Sequence, residues 1–255
     1  MFDKQCAFKN EQSCPQDGGD PTIFVITPTY QRWTQKADLT RLSQALRLAK
    51  SSIHWCVVED SVNKSGIVKS LLEKSNLPHS HLAIRYNGLR RRGLLQRDCA
   101  LHWLRTMHTE CTVPRGIVYF ADDDNTYDVR LFDDVLPKIE NVAVWPVGFS
   151  GQQLVEYPIV HEGRVTDFST KWAPNRRFSV DMAGFGLSLK MVTKHPNATF
   201  CSSCDVAGYR ETCFLEQLGL DRSQLEPFVA EEVFVWHTRT EKVVTSDNNT
   251  HGFVV

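Results

Sequence analysis

From residue 23 to 147, short unbroken apolar runs alternate with stretches in which apolar side chains recur every three or four positions. The runs read as strands buried on both faces, and the spaced stretches as helices with one face inward. Ile23 to Thr27 is a strand stopped by Pro28-Thr29-Tyr30, and Leu39, Leu42, Ala45, Leu46 and Ala49 mark the helix after it. Ile53 to Val58 is a second strand ending in Glu59-Asp60, followed by a helix carrying Ile67, Val68, Leu71 and Leu72. His81 to Arg85 is a short third strand, and Leu94 to Met107 a helix with Leu94, Leu95, Ala100, Leu101 and Leu104 inward. Ile117 to Ala121 is the next strand, then a helix from about Leu131 to Ile139 and a strand from Val142 to Val147. Strands alternating with helices predict an α/β fold on a largely parallel, right-handed sheet. Past Gly148 the pattern changes: Leu154 to Val165 reads as a hairpin turning at Glu162-Gly163, Ser179 to Leu189 as a strand, Glu211 to Leu218 as a helix and Val233 to His237 as a last strand. The expected layout is a lead-in over 1–20, a Rossmann-like nucleotide-binding half over 21–148, a mixed α+β half over 149–245 and a tail over 246–255, the two halves forming a single compact unit.

The chemistry concentrates where the strand Ile117 to Ala121 runs straight into Asp122-Asp123-Asp124. Ligands of open α/β sheets bind just beyond the carboxyl ends of the strands. Three adjacent carboxylates repel one another unless a cation neutralises them, and hard oxygens without His or Cys beside them suit Mg²⁺ or Mn²⁺ rather than zinc. Side chains alternate along an extended backbone, so one acid, Asp124, is expected to ligate a metal while the others hold hydroxyls, water or sugar. The competing reading is an acidic cap, with Asp124, Asn125 and Thr126 opening a helix near Tyr127. If the strands are parallel, Tyr30 and Asp60 gather on the same edge as the acids, offering a ring for a base and a carboxylate for base or ribose. Arg92 and Arg97 open a helix, where backbone N–H groups already favour anions. His237 and Arg239, two apart in Trp236-His237-Thr238-Arg239-Thr240, would share a strand face suited to a diphosphate or a sugar carboxylate.

Composition narrows this little. A formal charge of −1 over 255 residues excludes a protein built on bulk nucleic-acid binding. No run reaches the ~18 apolar residues that span a bilayer. Nor is there a signal-peptide core at the N-terminus, which leaves a cytosolic protein or one whose anchor lies outside this sequence. Cys201-Ser202-Ser203-Cys204 has the spacing of a zinc half-site or redox pair but no second pair to match. Cys56 and Cys99 fall in apolar patterns and read as buried thiols, while Cys6 and Cys14 could pair in an oxidising compartment. Glycosylation acceptor triplets stand at Asn63, Asn197 and Asn248.

The order of these motifs resembles the β-1,3-glucuronosyltransferases: Pro28-Thr29-Tyr30, Val58-Glu59-Asp60, Arg92-Gly93-Leu94-Leu95-Gln96-Arg97, Tyr119-Phe120-Ala121-Asp122-Asp123-Asp124-Asn125-Thr126-Tyr127, Val180-Asp181-Met182-Ala183-Gly184-Phe185 and Val235-Trp236-His237-Thr238-Arg239-Thr240-Glu241-Lys242. The resemblance implies a GT-A fold and inverting, Mn²⁺-dependent transfer from UDP-glucuronate to the 3-hydroxyl of a terminal galactose. The acceptor would be the proteoglycan linkage Gal-Gal-Xyl or, alternatively, an N-acetyllactosamine-type glycan. A non-catalytic carbohydrate-binding protein on the same scaffold is the other alternative. The resemblance also implies a homodimer in the Golgi lumen, held by a membrane anchor that this sequence lacks. By the same resemblance Tyr30, Asp60 and Arg92 hold uridine, and Asp122 and Asp123 lie near ribose and sugar with Asp124 on Mn²⁺. Arg97 meets the glucuronate, and His237 and Arg239 the diphosphate and sugar. Glu211 falls where the family keeps its catalytic base, and Glu156, Trp172, Arg176 and Asp181 match its acceptor galactose site.

Overall fold

The computed structural model describes residues 19–85, 93–110, 115–200, 208–228, 231–244, 249–250 and 252. Arg92, Cys6, Cys14, Cys111, Cys201, Cys204 and Asn248 lie outside the described residues.

The chain opens β1 (Thr22–Thr29), α1 (Gln35–Leu48), β2 (Ile53–Glu59), α2 (Gly66–Ser75), β3 (His79–Ala83), α3 (Leu94–Glu110) and β4 (Gly116–Phe120). It continues through β5 (Thr126–Tyr127), β6 (Val142–Val144), β7 (Val147–Gly148), the hairpin β8 (Val155–His161) and β9 (Arg164–Ser169), β10 (Phe185–Ser188) and α4 (Leu189–Lys194). It closes with α5 (Arg210–Glu216), β11 (Glu226–Pro227) and β12 (Val235–Trp236). A seven-stranded sheet runs β11-β6-β10-β4-β1-β2-β3, and a five-stranded sheet runs β5-β12-β7-β8-β9.

The expected α/β order from β1 to β4 is observed, and its physical reason is visible in β1. Ile23 and Val25 face α1 with Leu39, Leu42 and Leu46, while Phe24 and Ile26 face α3 with Cys99, Trp103 and Leu104. Both faces are covered, so the strand can be apolar throughout. β1 pairs in parallel with β2 on one side and β4 on the other. The chain thus leaves β1 in one direction and returns through α3 to its opposite flank. That reversal opens a crevice at the carboxyl ends of β1 and β4, the usual ligand site of such sheets.

The large sheet is largely parallel as expected, with β10 alone running antiparallel, to β4 and β6. Three expectations are corrected. The helix expected over Leu131 to Ile139 is a π turn at Leu131–Val135 and a 3-10 turn at Leu136–Lys138; Pro137 has no N–H to continue an α-helical ladder. The strand expected over Val142 to Val147 is cut at Pro146 into β6 and β7, which belong to different sheets. Cys99 is disulfide-bonded, as is Cys213, whereas Cys56 is a buried free thiol; an apolar helix pattern reports burial and cannot tell the two states apart. Among the described residues no helix is long and apolar enough to cross a membrane. Asn63 and Asn197 are exposed.

Candidate active site

Asp122, Asp123 and Asp124 stand at the crevice, one residue beyond the end of β4. They do not open a helix: the chain turns at Asp123-Asp124 and enters β5, and it is Asp128 whose carboxylate takes the Arg130 N–H ahead of the next turn. The three acids are held differently. Asp122 is ion-paired with Arg97, which rises from the first turn of α3 and is itself buried. Gly93, at φ 77°, makes room for that arginine, because a Cβ there would lie 2.9 Å from its Nη1. Asp123 is 7% exposed; its Oδ2 accepts from the Thr29 hydroxyl at 2.7 Å and its Oδ1 pairs with Arg32 Nη2 at 2.8 Å. Burial pushes its carboxyl up to about 6 against the pull of that arginine. Asp124 is half-buried, and burial together with the neighbouring Asp122 charge raises it too. Among the described residues no ion pair or hydrogen bond from another residue ends on its carboxylate, although the Arg32 and His237 charges draw its carboxyl down.

That donor set fits a hard divalent ion. The described residues hold no group of three or more His, Cys, Asp or Glu side chains ready to enclose a metal. One carboxylate completed by ligand phosphates and water is how Mg²⁺-like ions commonly bind. The residual repulsion in the trio is what a cation would relieve.

The other sequence-predicted residues fall around this point. Tyr30 follows β1 with its ring 46% exposed, and the half-buried Asp60 follows β2, its N–H bonded to the Thr29 carbonyl at 2.8 Å. His237 is brought in from the far end of the chain: its N–H bonds Gly148 and its Nδ1 lies 3.4 Å from Asp181 Oδ2. Asp181, with the Asp122 and Asp124 charges, lifts His237 to about 9, so it is an imidazolium at neutral pH. Arg239 is exposed, and the face-sharing with His237 expected from strand alternation does not arise. β12 stops at Trp236, where the Thr238 N–H turns back to its carbonyl.

A second group faces the acids from the α5 side. Glu211 sits in the first turn of α5, half-buried, with Arg97, Arg176 and Asp181 near enough to act on its charge. Burial first, and the Asp181 charge second, push its carboxyl up to about 7. Asp181 is itself held ionised by His237, by the Ala183 N–H and by the Ser150 hydroxyl. Arg176 is buried, donates to the carbonyls of Gly208 at 2.8 Å and Trp172 at 3.3 Å, and lies 4.8 Å over the Trp172 ring. The edge of the Trp172 ring in turn abuts Gly208, where a Cβ would fall 1.3 Å from the ring's Cη2. Glu156 is buried on β8, accepts from Thr170 at 2.8 Å, and leaves Oε1 without a partner. Burial pushes it up to about 7.

The sequence reading missed Arg32, Asp38, Ser150, Thr170, Gly208 and Thr238, the last of which donates to the Asp124 carbonyl at 2.7 Å. Arg32 and Asp38 are near neighbours, but the contacts that tie the group to the site, such as Arg32 to Asp123 and Thr238 to Asp124, span long stretches of the chain, and no local spacing announces them.

Residues 42–241 match the family description glycosyltransferase family 43. The chain is 40% identical over 250 residues to galactosylgalactosylxylosylprotein 3-beta-glucuronosyltransferase 2 of Mus musculus, covering 94% of this chain and 76% of that protein. It is 43% identical over 249 residues to the Homo sapiens protein numbered 3 in that series, covering 89% and 73%. It is 42% identical over 237 residues to the Caenorhabditis elegans galactosylgalactosylxylosylprotein 3-beta-glucuronosyltransferase sqv-8, covering 87% and 65%. Among solved structures, S. aureus TarS 1-349 in complex with UDP-GlcNAc superposes with a TM-score of 0.57 at 14% identity, over 87% of this chain and 60% of that one. At that identity the likeness speaks to fold, and the architecture is the GT-A type expected from the motif order. Fold, motif order and sequence identity agree across most of the molecule: the chain belongs to glycosyltransferase family 43.

Proposed function

We propose that the protein transfers glucuronate from UDP-glucuronate, with inversion, to the 3-hydroxyl of a terminal galactose, Glu211 acting as the general base. The observation that carries this is the position and state of Glu211. It is a half-buried carboxyl raised to about 7, with the donor-side Arg97 and the acceptor-side Arg176 and Asp181 both acting on its charge. A base with that value is ionised over a useful fraction of the population near neutrality while still able to take a proton, which is where general-base catalysis is most effective. Deprotonating the acceptor hydroxyl as it attacks the anomeric carbon from the face opposite the nucleotide is the whole proton chemistry the reaction needs.

The remaining residues bind and orient. Tyr30 and Asp60 take the uridine, and Asp122 and Asp123 the ribose and sugar hydroxyls. Arg97, already turned toward Asp122, takes the glucuronate carboxylate. His237, charged at neutral pH, takes the diphosphate, with Arg239 beside it. Asp124 would hold Mn²⁺, which when bound stabilises negative charge on the departing diphosphate, so that no acid is required there. Trp172, Arg176, Asp181 and Glu156 form the galactose subsite. The relatives' names specify a galactosyl-galactosyl-xylosyl-protein acceptor, and we take the same linkage as the acceptor of this chain.

The test is to incubate the protein with Mn²⁺, a panel of UDP-sugars and galactosides of defined linkage. Glucuronate appearing on O3 of Gal-Gal-Xyl, with the β configuration, is the expected product. Turnover with a different UDP-sugar, or binding of the galactoside with no turnover of any donor, would refute the reading.

A further inference from the structure

Arg32 lies just past Tyr30 in the loop between β1 and α1, and its guanidinium does more than neutralise a neighbour. Nη2 is 2.8 Å from Asp123 Oδ1 and 2.7 Å from Asp38 Oδ2. Nε donates to the Thr34 hydroxyl at 3.1 Å, and Nη1 to the Tyr30 carbonyl at 3.3 Å. The guanidinium carbon stands 4.7 Å from the centre of the Tyr30 ring. Asp38 is fully buried and Asp123 nearly so.

We propose that Arg32 is a positioning residue for the nucleotide end of the site, fixing Asp123 and the Tyr30 ring relative to each other; this rests on the UDP-sugar reading above. A planar fork can bridge two carboxylates and lie against a ring at once, which a lysine's point charge cannot. Asp123 is the middle acid of the trio, so holding it sets where Asp122 and Asp124 point. Its other oxygen takes the Thr29 hydroxyl, so the same acid ties the end of β1 to the end of β4 across the crevice. The Tyr30 ring, against the guanidinium, still keeps 46% of its surface exposed, as a ring awaiting a base requires. Without Arg32, two buried carboxylates lose a shared cation and the turn is free to shift. Arg32 makes no claim on the reacting atoms; its effect is on how well the nucleotide is received.

The experiment is calorimetric titration of UDP, with Mn²⁺ present, into wild type, Arg32→Gln and Arg32→Lys, alongside steady-state kinetics with UDP-glucuronate. The expected result is a tenfold or greater loss of UDP affinity in Arg32→Gln, a matching rise in the donor KM, kcat within threefold of wild type, and partial recovery in Arg32→Lys. A lowered melting temperature with UDP affinity within twofold of wild type would show a purely structural role and overturn the proposal, as would kcat falling as far as KM rises. If Arg32→Gln does not fold, Arg32→Gln combined with Asp38→Asn removes one of the two carboxylates that lose their shared cation and carries the same expectation. If wild type itself binds no UDP, the donor-site reading falls and takes this proposal with it. Wild-type binding with an unaffected variant sinks this proposal alone.

Discussion

Phe120, the last residue of β4, and Phe214, one turn beyond Glu211, pack edge to face with ring centroids 6.1 Å apart. Phe200 stacks on Phe214 at 4.3 Å and meets Phe120 edge-on at 5.1 Å. The end of the strand that leads to the acid trio and the helix that carries the carboxyl opposite it are therefore fixed through one aromatic cluster. Phe214→Ala should cost about 3–5 kcal/mol of stability, and the surviving folded protein should lose turnover more than UDP affinity. Urea unfolding with parallel kinetics measures both; an equal loss in UDP binding would mean the cluster does not serve the Glu211 side selectively.

Glu211→Ala should lower kcat by about 10²–10⁴-fold, the usual contribution of a positioned base, with UDP affinity nearly unchanged. In wild type kcat should climb with pH through about 7, as the raised carboxyl gives up its proton. Titration of UDP into the variant is the check: lost nucleotide binding would place Glu211 in the donor site instead.

Asp124→Asn should abolish the Mn²⁺-dependent part of UDP binding, and chelation should do the same to wild type. Asp123→Asn, which keeps an acceptor oxygen for Thr29, should weaken it less. Titrations with and without chelator distinguish the two. Equal effects from both variants would show that the metal does not depend on Asp124 in particular.

Stability should respond to Glu156 in a pH-dependent way. Folded, its carboxyl titrates near 7 because it is buried; unfolded, it titrates at about 4.3. Between those values the native state holds a proton that the unfolded chain has released, so stability falls as pH rises through the window. Glu156→Gln escapes that loss. It should melt several degrees above wild type at pH 8 and no higher than wild type at pH 4; a pH-independent difference would contradict the assignment.

Gly208→Ala places a Cβ inside the Trp172 ring at a backbone φ of 86°. The indole must move, and the KM for the galactoside should rise at least tenfold while the KM for UDP-glucuronate stays within twofold. Kinetics with each substrate varied in turn decide it.

Much of the donor half is legible in the amino-acid sequence because burial on two faces demands unbroken apolar runs. Ile23 to Thr27 and Ile53 to Val58 lie within observed strands, and Ile117 to Ala121 overruns β4 by one residue. The acid trio, Tyr30 and Asp60 are legible for the same reason, since each follows such a run. What escapes is whatever depends on distant partners. Strand direction has no sequence mark, so β10 could be seen as a strand but not as antiparallel. β5 is two residues long, too short for any period to show. Arg32 reads locally as a surface charge in a turn, and only the fold brings Asp123 to it. Glu211 by itself reads as an ordinary first-turn acid; motif order singled it out, and only the packing of α5 explains its raised carboxyl.

The long return by which His237 reaches the site bears on how the molecule is made. Thr240 donates its hydroxyl to Asp38, 202 positions upstream, and Arg41 donates to Thr240 from the same helix. The strap carrying His237 is thus fastened to the first helix by a residue synthesised 202 positions after its partner. A nascent chain halted anywhere before that strap lacks His237, the imidazolium proposed above to take the diphosphate. On that proposal, competence for the donor waits for the strap and does not come with β1 to β4.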